Sequence, residues 1–440
     1  MNRILCVIFL SLLSSTAVAQ ENWSHWRGPT GNGVSKTAKP PIEWDGEKNV
    51  KWKVPIEGRG SGSPVVWGDK VFVVTAVTEG GGTSAASGPR GRRQRGGGGA
   101  KPTKKTAFQL LCFNRSNGDV LWSKTAVETV PHEQGHGTNT FASASPCTDG
   151  KHVYAHFGSR GVFCYSLDGE LKWKYDKFEP MSTRAAFGEG SSPVLTKNKL
   201  ILPYDHEGQS KLYAFDKTTG DIDWEINRDE PSNWATPLVV EHEGRQQIIT
   251  NGQSKVRAYD LDDGQELWKC GGQVARPVAS PVKYDDMVVV TSGHRGSFMG
   301  AFQLDGKGDI EGTDKVAWTL KRDTPDIGSP ILSGNRLFFY KAKTGNLSCY
   351  DVKTGKPFFE TTRVSKIRST YASPVAANGY VYLTGRSGTT VVVKDAEEFE
   401  IVEVNSVGEG VDATPAPVDN QLFIRGEKHL FCIEAKAEQD

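Results

Sequence analysis

The chain of 440 residues carries seven cysteines, and no two of them are adjacent or spaced as CxxC. That spacing excludes zinc ribbons and covalent haem attachment. No phosphate-cradling Walker sequence and no GxSxG nucleophile elbow occurs. The formal charge is only +1, so the chain as a whole is not built to coat nucleic acid. After the first twenty positions, no apolar run is long enough to span a bilayer.

The first nineteen positions read as a processing signal. A short positive start is followed by the apolar run Ile4 to Leu13 and the small-x-small site Ala17-Val18-Ala19, which places the mature start at Gln20. Export is therefore expected. Cys6 lies too early to serve as a lipid-attachment cysteine after cleavage. Of the six remaining cysteines, Cys112, Cys164, Cys349 and Cys432 share one local setting, and Ala214 and Ala258 occupy the same slot elsewhere. A slot shared by Ala and Cys is a small buried packing position, so free buried thiols are expected.

What the chain has in abundance is repetition. The segment LYAFDKTTGDIDW, Leu212 to Trp224, alternates apolar residues, turns at an Asp and a Gly, and closes on Trp. Similar hairpins end at Trp122, Trp173, Trp268 and Phe359. Ahead of each hairpin stands a Ser-Pro or Thr-Pro: Ser63-Pro64, Ser145-Pro146, Ser192-Pro193, Thr236-Pro237, Ser280-Pro281, Ser329-Pro330, Ser373-Pro374 and Thr414-Pro415. A unit of about 40 to 45 residues with four short strands is a propeller signature. The expected fold is all-β: an eight-bladed β-propeller of four-stranded antiparallel blades over residues 49–434. The last unit lacks its fourth strand. Asn49 to Ile56, with Trp52 in the aromatic slot, is expected to supply it and close the ring. Residues 20–48 are expected to lie on the propeller surface.

The Asp-x-x-Thr-Gly-x-x-x-Trp pattern at Asp216 to Trp224 resembles the tryptophan-docking repeat of the pyrroloquinoline quinone (PQQ) propellers. The segments WSHWRGPTGNGVS and WKVPIEGRGSGSPVVWGDKVFV resemble secreted bacterial PQQ-like repeat proteins, a group often named after BamB, the outer-membrane assembly scaffold. The resemblance implies two branches. Quinoprotein dehydrogenases hold PQQ and calcium with a bonded pair of adjacent cysteines, a stacking Trp and a catalytic Asp; this chain has no such cysteine pair. The BamB-like branch is non-catalytic and presents loops to partners. The resemblance therefore favours a scaffold of the cell envelope that binds a protein or glycan, with no cofactor expected. PQQ with calcium, using Asp326 or Asp412 as base, is the disfavoured alternative, and a glycan-active propeller with paired carboxylates is another.

The loops entering each Ser/Thr-Pro should converge on one mouth of the central channel, where closed β architectures hold ligands. Arg59, His136, Asn139, Glu189 and Trp234 fall there, as do Arg276, Asp326, Arg368, Tyr371 and Asp412. They are candidate binding residues, with structural ion pairs as the alternative role. No catalytic residue is singled out. His132 and His136 are four apart, but Pro131 and the flanking glycines make the stretch a loop rather than a metal-binding helix. DGKGDIEGTD, Asp305 to Asp314, departs from a calcium loop at its third and sixth places.

The most individual stretch is residues 79–106. It is rich in Gly, nearly free of apolar residues, and expected to be a disordered insertion in the first blade. Arg90, Arg92, Arg93, Arg95, Lys101, Lys104 and Lys105 give it +7 with no acid after Glu79, leaving the remainder at −6. Such an arm suits an anionic partner, while export and the acidic remainder make nucleic acid unlikely.

Overall fold

In the computed structural model, residues 22–81 and 101–435 are described. The leader and Arg90, Arg92, Arg93 and Arg95 lie outside the described residues. Eight sheets surround a central bore, and in seven of them four antiparallel strands follow chain order from the inner to the outer strand. Blade 3 is representative: Val194–Leu195, Lys199–Tyr204, Ser210–Asp216 and Ile222–Arg228. Its second strand is buried on both faces because neighbouring blades cover both, which is why Leu200 to Leu202 run without alternation. Its outer strand, Ile222–Arg228, alternates half-buried and exposed positions.

Blade 8 consists of Ala416–Val418, Gln421–Arg425, His429–Glu434 and, from the other end of the chain, Val50–Pro55. Trp52 faces Cys432 across that join, as the repeat pattern requires. One blade exceeds the four expected strands. The long corner of blade 5 folds back so that Gly308–Asp309 pairs in parallel with Glu266–Cys270 of blade 4. Ile310 is buried beneath it. All six cysteines in the described residues are buried and free.

The repeat motif is a docking device between blades. The indole N–H of Trp224 donates to Leu261 O (3.1 Å), that of Trp173 to Lys217 O (2.9 Å) and that of Trp122 to Leu167 O (2.9 Å), each in the next blade. Trp173 covers the corner glycine of blade 3. Gly220 has φ +80°, and a Cβ there would lie 2.5 Å from the indole. Glycine is thus required by backbone and by contact together. Trp268 differs: the added parallel strand covers it, and its N–H turns to Gln247 Oε1 at 3.3 Å. Blade 6 carries Phe359 in the slot, against Phe338 and Phe399.

The N-terminal segment ties further blades together. Trp23 exchanges two backbone hydrogen bonds with Val66 of blade 1 (2.8 and 2.9 Å), and Thr148 N–H of blade 2 donates to Ser24 O (3.0 Å). Asn32 bonds Lys283 of blade 5 twice (3.0 and 3.1 Å). Gly33 and Ser35 pair with Ala376 of blade 7 (both 2.9 Å). Trp44 N–H donates to Asn405 Oδ1 (2.7 Å) and its ring stacks on Tyr382. These partners lie on inner strands beyond the Ser/Thr-Pro corners, or on the rim of blade 7. The segment is therefore a strap across the face opposite the mouth.

Two histidines make the fold acid-sensitive. Burial pushes His25 and His156 down from 6.5 to about 4, with Arg27 adding to the effect at His25. Both rings are neutral in the fold and protonate on unfolding. Their contribution is fully present above pH 6.5 and is lost as pH falls toward 4, at a scale on the order of 3 kcal/mol each. Urea midpoints should fall steadily through that window, and His156→Leu should flatten the slope by about half. A midpoint independent of pH between 6.5 and 4 would contradict this account.

Candidate functional site

The bore is lined by the Ser/Thr-Pro residues themselves. Proline restricts the residue before it to extended backbone. In every blade, that residue's N–H donates to the hydroxyl of its counterpart in the next blade. Ser63 bonds Ser145 (2.8 Å), Ser145 bonds Ser192 (2.9 Å), Ser192 bonds Thr236 (3.1 Å) and Thr236 bonds Ser280 (3.1 Å). Ser280 bonds Ser329 (2.8 Å), Ser329 bonds Ser373 (2.9 Å), Ser373 bonds Thr414 (3.0 Å) and Thr414 returns to Ser63 (2.9 Å). The sequence marked these positions only as repeat landmarks. The signal for a belt was present in the hydroxyl found at all eight copies.

The belt encloses a well of about 120 Å³, with Trp26 of the strap on one side and Trp234, Tyr371 and Asp412 on the other. Above it opens a mouth of about 310 Å³. Seven of the ten expected residues line that mouth: His136, Asn139, Trp234, Arg276, Asp326, Tyr371 and Asp412. Arg59, Glu189 and Arg368 do not. Arg59 forms a backbone bridge with Ala76, and Arg368 is exposed. Glu189 turns into a neighbouring buried network, binding Arg160 and the Ser159 hydroxyl (2.5 Å). Phe187 and His294 also line the mouth. His294 escaped notice because it sits between the second and third strands of blade 5, in a loop class that also opens onto this face.

The mouth is electropositive. Arg276 lies over the Phe187 ring (5.0 Å) and its Nη1 is 3.4 Å from His294 Nε2. Among the described residues it has no carboxylate within ion-pair distance. Its backbone is in the left-handed region at φ 61°, held by Gln253 Oε1 accepting from its N–H (3.2 Å). Burial, followed by Arg184 and Arg295, pulls its pKa below the usual arginine range. Burial, with Arg386 and Arg276 behind it, likewise lowers His136. His294 is lowered by burial and then by Arg276, Lys343 and Arg295. The two acids are engaged. Arg386 grips Asp412 with two bonds (2.6 and 3.0 Å) while stacking on Tyr371 (4.1 Å), and Asp326 accepts the Ala342 N–H (3.1 Å).

A calcium-held quinone does not fit these residues. Calcium takes six to eight oxygen ligands, with carboxylates prominent among them. Of the two mouth carboxylates, Asp412 is held by Arg386, which leaves Asp326, accepting one backbone N–H, as the single carboxylate there without an ion pair among the described residues. No cluster of three His, Cys, Asp or Glu suited to a metal occurs among the described residues. His132 and His136 point to different partners, Met181 O and the Thr138 hydroxyl (both 2.8 Å).

The root of the basic insertion lies between the second and third strands of blade 1, Lys70–Thr78 and Thr106–Asn114. The second strand runs on into a turn at Glu79–Gly81, and the third opens at Thr106, so both lie in ordered structure inside the expected boundaries. Glu79 N–H donates to Lys105 O (3.0 Å), and Lys105 Nζ is 3.7 Å from Glu128. Lys101 and Lys104 are exposed or free of ion pairs among the described residues.

The family model described as outer membrane protein assembly factor BamB matches residues 107–361, more than half of the chain. No curated protein matches. Among solved structures, BamB from Moraxella catarrhalis aligns at 10% identity and TM-score 0.58, over 87% of this chain and 99% of that one. Quinohemoprotein alcohol dehydrogenase from Comamonas testosteroni aligns at 10% identity and TM-score 0.60, over 95% and 81%. Likeness at such identity is a likeness of fold.

Proposed function

The chain belongs to the BamB family of PQQ-repeat propellers, and from that premise we propose that it is a non-enzymatic scaffold of the cell envelope that captures an acidic segment of a partner protein in its channel mouth. The observation that carries this reading is the unpaired Arg276 set among Phe187, Trp234 and Tyr371. Arginine and large aromatics are the residue types that dominate binding energy at protein interfaces. The mouth acids that a hydrolase or dehydrogenase would need are bound by Arg386 and by backbone. Export fits the N-terminal pattern, and among the described residues no helix is long and apolar enough to cross a membrane. The basic insertion, rooted on the mouth face, supplies a second, salt-sensitive contact.

The test is retention of envelope proteins on the immobilised mature chain. A specific protein should be held at low salt and released at high salt. Arg276→Glu should abolish its retention, and Trp234→Ala should weaken binding by about 30-fold, equivalent to a 2 kcal/mol hot spot. Retention unchanged by both substitutions would remove the mouth from the account. Saturable binding of PQQ with calcium at micromolar levels would favour an oxidoreductase instead.

A further inference from the structure

Below the mouth, the belt leaves a set of hydrogen atoms without acceptors. A Ser or Thr hydroxyl has one donor and two acceptor sites. Each belt hydroxyl accepts one N–H, and among the described residues none of the eight donates to a protein acceptor. All eight residues are buried, the most open at 4% exposure, and all eight line the same well. The well's volume of about 120 Å³ corresponds to about four waters at ~30 Å³ each.

The strap side of the well adds donors and charge. Trp26 lines it, and the Trp26 indole N–H is buried without an acceptor. Arg27 lies beneath, its guanidinium 5.4 Å from the Trp26 ring. Arg27 is 1% exposed. It donates to Gly31 O (2.8 Å) and Pro330 O, leaves Nη1 without a partner, and has no carboxylate within ion-pair distance among the described residues. On the mouth side stands the unpaired Arg276. Asp412 also reaches the well, but Arg386 neutralises it.

We propose that the hydroxyl-lined well is a binding site for one compact anion without donors of its own, a halide or the carboxylate of a short aliphatic acid. Such an anion satisfies the belt O–H donors, in a well whose one lining carboxylate, Asp412, is already held by Arg386. A cation could use the second lone pairs of the hydroxyls, but it would meet only that one carboxylate, already held. The site does not depend on protein capture at the mouth, because the anion lies below the surface a partner would touch.

Crystals of the mature protein soaked in sodium bromide test the idea by anomalous scattering, with rubidium chloride as the cation arm. The expected result is a bromide peak on the bore axis, ringed by the belt hydroxyls, and no rubidium peak there. Bromide confined to the surface, or rubidium in the well, would overturn the proposal. In solution, iodide should quench tryptophan fluorescence with a saturable component that Trp26→Phe diminishes; purely collisional quenching would count against the site. Sodium acetate competing for that component assigns the well to carboxylates, and failure to compete assigns it to halides. Thr236→Val keeps the shape and deletes one hydroxyl, and should weaken the saturable component severalfold. Should that variant fail to fold, the bromide and rubidium soaks of the unmodified protein decide the matter.

Discussion

Asp205→Ala should destabilise the protein by about 3–5 kcal/mol, the cost of breaking a buried ion pair. Asp205 takes two bonds from Arg228, Nε at 2.8 Å and Nη2 at 3.0 Å, and a further one from Asn233. The Arg228 side chain is fully buried, and its remaining nitrogen reaches Thr250 (3.0 Å) and the Tyr259 hydroxyl (2.7 Å). Burial works to lower the guanidinium pKa, but the Asp205 charge offsets it and the net shift is upward. Removing the carboxylate leaves that cation stranded between blades 3 and 4. Denaturant unfolding at constant m-value measures the loss. Asp205→Ala combined with Arg228→Met should recover most of it, since an apolar pair of similar volume avoids desolvating charge. A loss below about 1 kcal/mol would mean that water screens the pair, as it does at surfaces.

Trp23→Ala should cost about 3–5 kcal/mol, the range for deleting a buried aromatic. Trp23 is 0% exposed and belongs to the core cluster that joins blades 1, 7 and 8. Gly28, at φ +73°, closes on its ring so tightly that a Cβ would lie 2.6 Å away. The loss should therefore extend beyond the cavity to the undocking of the strap. Limited proteolysis should cut the variant first within residues 22–45, while the native protein resists there. Equal protease resistance and an unchanged denaturation midpoint would show that the strap only decorates the ring.

The propeller was legible because its signals are local and repeated. Asp216, Gly220 and Trp224 each specify a piece of hairpin by their own chemistry, and equivalents recur at a fixed period. Trp52 could be assigned to blade 8 from a missing strand at the other end. The strap was not legible: Trp23, Asn32 and Trp44 find partners far away in sequence, and nothing in their spacing encodes which. Gly308–Asp309 was hidden for a related reason, being two residues whose pairing depends on Trp268 in another blade. At the mouth, loop position alone brought Trp234, Arg276 and Tyr371 together. It failed for Glu189, whose side chain follows Arg160 away from the bore, and for His294, which arrives from a different loop.

The belt of hydroxyls also counts. Every bond runs the same way round, so each blade is donor to one neighbour and acceptor from the other, and the eighth returns to the first. An open array of repeats can gain or lose a unit at the cost of one interface. A closed cycle has no free end at which to do so, and an extra or missing copy changes the angle at every one of its bonds at once. The Ser/Thr-Pro dipeptides thus act as a copy-number gauge. Tandem duplication or deletion of one repeat should produce chains that fail to close rather than propellers of seven or nine blades.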